Sequence, residues 1–314
     1  MPKLDSLLEE KNMVSYRLLS YEKKGQSCPG ILVAGSVFDM QLEMGLHAPS
    51  LTPYNSVDAI LANWDSAKTL LTKISENPGS KATPLERVTL NQPINNPGAI
   101  YCAAANYYDH AKEMGTNVNK KEIQPYFFIK SSSVVVGSGE NIRLPVNYSK
   151  KFDWEIEIAA VVGRETMDIS EADALSCLAG YTIINDLSAR DQHLREDWPF
   201  GTDWFEHKSF ETSAPMGPWI TPAEEIDNVQ SLPTRTWINE EIKQGSNSAQ
   251  MIFTVAEQIS HLSRQLTLKP GDVIATGTCA GVGAFTNTFL KAGDHIRMEV
   301  EGLGVLENMV TERN

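Results

Sequence analysis

Residues 151–163 read KFDWEIEIAAVVG. In an extended chain successive side chains alternate, so Asp153, Glu155 and Glu157 share one face while Phe152, Trp154, Ile156 and Ile158 share the other. Like charges side by side on a strand face repel each other and belong in open water. The sequel contradicts that setting, because Ala159, Ala160, Val161 and Val162 continue without a polar position, the pattern of a strand buried on both faces. Carboxylates entering such a strand need a cation. Two readings fit the stretch alone: the solvated edge of an antiparallel pair, or a site for a divalent ion with oxygen ligands. In the second, two carboxylates from alternate positions and a third from elsewhere leave room for water or substrate oxygens.

Composition narrows the class. With 314 residues, 41% of them hydrophobic and 21% charged, the chain can build a large core as one domain or two moderate ones. It has no apolar run of about eighteen residues, and the N-terminal MPKLDSLLEEKNM lacks the basic-then-apolar order of a signal peptide. The expectation is a cytoplasmic protein with no membrane partner. A formal net charge of −13 argues against a nucleic-acid surface, and an anionic substrate would need local cations to reverse the field. Cys28, Cys102, Cys177 and Cys279 are widely spaced and read as reduced structural thiols.

On the N-terminal side, residues 1–95 read as a small α/β module, with strands at 15–21 and 30–38 and a helical pattern over 57–71. The proline-punctuated stretch 77–98 predicts a surface connection, placing a boundary near residue 95. Beyond it, residues 99–105 predict a buried strand leading into NYYDHAKEMG, where His110 and Glu113 fall on one side of a helical turn. That pair suits a general base oriented by a carboxylate, and equally an exposed surface pair. Residues 125–136 predict an apolar strand whose single cation, Lys130, reaches solvent.

On the C-terminal side, residues 172–179 predict a helix stopped by Gly180, followed by a strand at 181–184. Asp186 closes that strand either as a third metal ligand or as an N-cap, with Arg190 one helical turn later. The aromatic and charged stretch 194–207 predicts an ordered loop that shapes a pocket, with Arg195 a partner for a distal carboxylate. Lys208 follows in a segment that by itself reads as exposed. Residues 249–265 carry helical periodicity, and the glycine-rich 276–283 matches no nucleotide-binding pattern but lets backbone N–H groups approach a ligand.

The ordered pieces NYYDHAKEMG, PYFFIKSSSVVVG, DWEIEIAAVVG, GYTIINDLSARD, KSFETSAPMGPWI and GDVIATGT resemble the fumarylacetoacetate hydrolase family over most of residues 99–311, in its bacterial acylpyruvase and dienedioate isomerase branch. The resemblance implies an α+β, β-rich fold with a rolled mixed β-sheet over residues 96–314, paired as a homodimer. It implies Mg2+ or Mn2+ held by Glu155, Glu157 and Asp186, and a catalytic dyad of His110 and Glu113 on a lid. Arg190 and Lys208 would surround the substrate oxyanion, and Gly277 and Thr278 would touch its carboxylate or a neighbouring oxygen. The family commonly has Gln seven residues after the metal-binding Asp; here His193 stands there, with Gln192 one before, and either would serve the substrate. Asp153 matches no ligand position and would contact the ligands from behind or meet solvent.

The chemistry is coherent on physical grounds. A 2-oxo or β-diketo acid chelates a divalent ion through carboxylate and keto oxygens, and water activated by His110 attacks the other carbonyl. The carbon–carbon bond then breaks to an enolate stabilised by the metal, Arg190 and Lys208. Hydrolysis of an acylpyruvate-like acid is thus the expected activity. Oxaloacetate-type decarboxylation and 2-hydroxydienedioate isomerisation are the alternatives at the same site, and a non-catalytic binding module is the rival from another class.

Overall fold

Six aliphatic or small residues and one carboxylate, Ile156–Val162, form a strand with every position buried at the middle of the molecule. The structure is a computed structural model and describes residues 15–313. The strand lies between Leu178–Asn185 and Val273–Thr278, both antiparallel to it. Burial on both faces explains the unbroken apolar run.

From this centre the sheet extends both ways. Beyond Val273–Thr278 come Ile100–Ala103, parallel to it, and Phe127–Lys130. On the other side Ala214–Pro222 follows Leu178–Asn185, then Tyr16–Lys23, Gln26–Val33, Ser36–Asp39 and Ala82–Pro84. The result is a large mixed sheet with few helices, the β-rich class expected. A second sheet orders Glu241–Asn247, Pro233–Ile238, His295–Val300, Gly304–Glu312 and Ile142–Leu144. Its inward faces and one face of the large sheet enclose a core that includes Trp154, Ile158, Tyr181, Ile296 and Leu306.

Residues before and after position 95 share this sheet: Leu18 pairs with Ile220 across neighbouring strands. They also share a core, in which Ile31, Ile60, Trp64 and Leu71 pack with Ala159, Val161, Ile184 and Val273. The helix Trp64–Glu76 covers that face with Trp64, Ala67, Leu70, Leu71 and Ile74, the periodic residues of the sequence. The N-terminal stretch quoted above lies outside the described residues. No helix among the described residues is long and apolar enough to cross a membrane.

Two local expectations are corrected. Residues 172–179 do not form a helix; one 3-10 turn, Ala174–Cys177, gives way directly to the strand Leu178–Asn185. Gly180 is no helix stop but a mid-strand position, because a Cβ there would lie 2.1 Å from the Thr221 carbonyl oxygen of the neighbouring strand. The C-terminal helix is Val255–Ser263, shorter than the periodicity of 249–265. Thr254 and Glu257 form a reciprocal capping box that fixes its start.

Candidate active site

The ladder breaks between Phe152–Asp153 and Ile156–Val162, and Glu155 sits in the break. Its backbone is held by the end of the next strand: Glu155 N–H donates to Asn185 Oδ1 at 3.0 Å, and Asp186 N–H donates to the Glu155 carbonyl at 2.9 Å. This pairing sets Asp186 beside Glu155. Glu157, one pleat further, receives the Gly277 N–H at 2.7 Å. Carboxylate oxygens of Glu155, Glu157 and Asp186 all lie within 4.8 Å of one another, and all three residues are buried.

Three cations offset this charge unevenly. Lys208 Nζ lies 2.8 Å from both Glu155 Oε2 and Asp186 Oδ2. Arg190 donates to Glu155 Oε1 at 2.6 Å and to Asp153 Oδ2 at 2.8 Å. Lys130 donates to Asp186 Oδ1 at 2.7 Å and to the carbonyls of Leu187 and Lys208. Burial raises the pKa of Glu155, but Lys208 and Arg190 outweigh it and hold the carboxyl well below its ordinary range. Glu157 has less help: among the described residues no cationic side chain pairs with it, and burial, Asp186 and Glu155 outweigh the Gly277 N–H and the charge of Lys208 and push its pKa well up. A buried carboxylate without a paired cation, beside two more oxygen donors, is the donor set a magnesium or manganese ion takes. The three residues fit such an ion.

Above this floor, the short helix Tyr108–Glu113 presents the dyad: His110 Nδ1 lies 3.0 Å from Glu113 Oε2. Glu113 is itself anchored, accepting the Gly281 N–H at 3.0 Å on its other oxygen. The Gly281 carbonyl in turn accepts from Trp154 Nε1 at 3.1 Å. The glycine-rich loop thus holds both the floor, through Gly277, and the dyad, through Gly281.

A cavity of about 240 Å3 joins these parts, lined by His110, Glu155, Glu157, Arg190, Lys208 and Thr278 with His193, His207, Phe128 and Trp204 among its walls. Of the two candidates at the unusual position, His193 lines it, whereas Gln192 is turned away and donates to the Tyr148 carbonyl at 2.8 Å. Arg195, expected as a partner for a distal carboxylate, is surrounded by Asp197, Asp203 and Glu206 and is not part of the cavity lining.

Two residues first read by local pattern are fixed by their partners. Of its two alternatives Asp153 takes the contact from behind: it is wholly buried and accepts from Arg190, which also donates to Glu155, and from the N–H groups of Gly283 and Ala284. Lys130 does not reach solvent as expected: it is 0% exposed beneath Asp186. One signal pointed to it, a cation in a segment with no polar face to carry it outward.

Fold and cavity together define an enzyme-like pocket in which a buried carboxylate triad lies beneath a His–Glu dyad. Residues 99–311 match the family model described as Fumarylacetoacetate (FAA) hydrolase C-terminal, and the chain belongs to that family. The mitochondrial oxaloacetate tautomerase Fahd2a of Rattus norvegicus is 38% identical over 229 residues, 72% of this chain and 71% of its own length. The structure of fumarylacetoacetate hydrolase from Exiguobacterium antarcticum superposes with a TM-score of 0.77 at 28% identity, covering 95% of this chain and 100% of its own. That of 2-hydroxyhepta-2,4-diene-1,7-dioate isomerase from Mycobacterium marinum gives a TM-score of 0.71 at 28% identity, covering 96% and 100%.

Proposed function

We propose that this chain is a divalent-metal-dependent enzyme that moves a proton at the carbon beside the keto group of a small 2-oxo acid, with keto–enol tautomerisation of an oxaloacetate-type acid as its reaction. The observation that carries the reading is the His110–Glu113 dyad set over three buried carboxylates in one small cavity. At about 240 Å3 the cavity lies below the usual range of roughly 300–1,000 Å3 for drug-sized ligands and suits a short acid. The name of the rat relative supports the substrate class.

Glu155, Glu157 and Asp186 would hold magnesium or manganese, which when bound supplies Lewis acidity at the substrate's keto oxygen. The protein's own groups do the rest. Glu113 accepts the Nδ1 proton of His110, leaving Nε2 as the basic nitrogen that takes and returns the carbon-bound proton. Arg190 and Lys208 line the cavity and keep positive charge beside the oxygen on which negative charge develops.

Hydrolysis of a carbon–carbon bond in an acylpyruvate-like acid is the second reading. The same dyad favours it, since an imidazole backed by a carboxylate also activates water. The deciding experiment gives purified protein magnesium or manganese with oxaloacetate enol, acylpyruvates and a dienedioate. Loss of enol absorbance at unchanged mass supports tautomerisation, and two fragments with water incorporated make the enzyme a hydrolase. Release of carbon dioxide marks a decarboxylase, and absence of all turnover removes the enzyme reading.

A further inference from the structure

Five titratable nitrogen side chains line the cavity, His110, Arg190, His193, His207 and Lys208, beside the indole of Trp204. Four of them are committed within the protein. His110 pairs with Glu113, Arg190 with Asp153 and Glu155, Lys208 with Glu155 and Asp186, and His207 Nδ1 with the Ala189 carbonyl at 3.0 Å. His193 has no side-chain hydrogen bond among the described residues, and its Nδ1 is buried without a partner. A buried imidazole nitrogen without a partner costs less as a bare lone pair than as an orphaned N–H, because the donor would lose its hydrogen bond to water outright. The ring therefore carries its proton on Nε2, the nitrogen not sealed in the wall.

The ring is also fixed. Trp204 meets it edge-on at 5.0 Å between centroids, and His207 lies 4.6 Å away. Trp204 is held in turn by stacking on Phe128 at 4.7 Å. Burial, with Arg190 and Lys208 nearby, lowers the His193 pKa, so at neutral pH the group is a neutral donor rather than a second cation. A rigid, unspent N–H on the wall of a cavity whose floor is a chelating site is placed to receive a second acceptor of the same ligand.

We infer that His193 Nε2–H hydrogen-bonds the distal carboxylate of the substrate, so that this cavity selects 2-oxo dicarboxylic over 2-oxo monocarboxylic acids. This rests on the proposed reading of the carboxylates as the chelating site, and it goes further by assigning the other end of the ligand. Arg195, the obvious candidate by charge, is excluded by its three acidic partners.

The test uses manganese-loaded protein and two probes, oxalate, which has only a chelating end, and 2-oxoglutarate, which adds a distal carboxylate. By calorimetry, His193→Phe should weaken 2-oxoglutarate about tenfold or more, the scale of a hydrogen bond to a charged group, and leave oxalate unchanged. His193→Gln, which restores a side-chain N–H, should recover most of the loss. In wild type loaded with diamagnetic magnesium instead, the His193 Nε2–H resonance should shift with 2-oxoglutarate and stay in place with oxalate. Equal weakening of both probes by His193→Phe, or of neither, overturns the assignment, as does a failure of the wild type to prefer 2-oxoglutarate over pyruvate. Oxalate failing to bind at all instead overturns the chelating floor, a different outcome from any of these.

Discussion

Lys130 Nζ lies 2.7 Å from Asp186 Oδ1 with both side chains sealed from solvent, although 56 residues separate them in the chain. Burial pulls the Lys130 pKa down and Asp186 pulls it up, so each charge is tolerated because of the other. Lys130→Met leaves Asp186 with Lys208 alone at Oδ2 and strips the donor from Asp186 Oδ1 and from the Leu187 and Lys208 carbonyls, and unfolding by urea in EDTA should show a loss of about 1–3 kcal/mol. The double variant Lys130→Met with Asp186→Asn should recover part of that loss. An unchanged midpoint in the single variant would show that the pair is not formed in solution.

Glu155 and Glu157 make opposite contributions to the metal-free protein. Glu155 is paired with Arg190 and Lys208, whereas Glu157 is pressed against two carboxylates with a backbone N–H and only the charge of Lys208, which does not pair with it, in support. Glu157→Gln should therefore raise the melting temperature in EDTA while weakening manganese affinity at least about a hundredfold, in line with losing one of three charged ligands. Glu155→Gln should lower both. If Glu157→Gln binds manganese like wild type in calorimetry, the carboxylate cluster is not the metal site.

What the sequence made legible, and what it hid, follows one physical line. The E-x-E alternation, the Asp closing a strand and the i,i+3 His–Glu pair are local patterns, and each side chain stands where its own segment's geometry puts it. The burial of Lys130 and Asp153 depends on partners that other strands deliver, and a single Lys in a strand has exposure as its default. Gly180 was misread for the same reason: its lack of a side chain answers the Thr221 carbonyl of a neighbouring strand, a contact no local pattern encodes. His193 was marked by its position in a motif, but its unspent Nε2–H emerges only when the partners of the other titratable cavity nitrogens are known.

His207 ties stability to pH. Burial, then Lys208, lowers its pKa from 6.5 to about 2, so the folded protein keeps it neutral where the unfolded chain would protonate it. Below the unfolded pKa the unfolded state binds more protons, and stability falls with falling pH. The contribution is fully present above about pH 7 and is lost at up to about 1.4 kcal/mol per pH unit below 6.5. His193, also lowered, acts in the same direction. His207→Asn, which can keep a donor toward the Ala189 carbonyl, should flatten the decline between about pH 6.5 and 5 by about 2 kcal/mol in denaturant melts. An identical decline in variant and wild type would assign the acid sensitivity to other groups.

Gly281 should control the dyad without touching substrate. Its φ of +101° is a backbone state that side chains disfavour, and a Cβ there would lie 2.0 Å from the Lys243 carbonyl oxygen, so the loop must move to accept one. Moving it withdraws the N–H from Glu113 Oε1 and frees the carboxylate that orients His110. Misplacing a catalytic group by about 1 Å costs on the order of a hundredfold, so Gly281→Ala should lower kcat on that scale. Manganese affinity should hold, because Gly281 makes no contact with Glu155, Glu157 or Asp186 among the recorded hydrogen bonds. If Gly281 acts through His110, then the double variant Gly281→Ala with His110→Ala should be no slower than His110→Ala alone, since effects within one unit do not add. Additive losses would mean that the glycine supports the cavity in general, and that the dyad is oriented by something other than the loop.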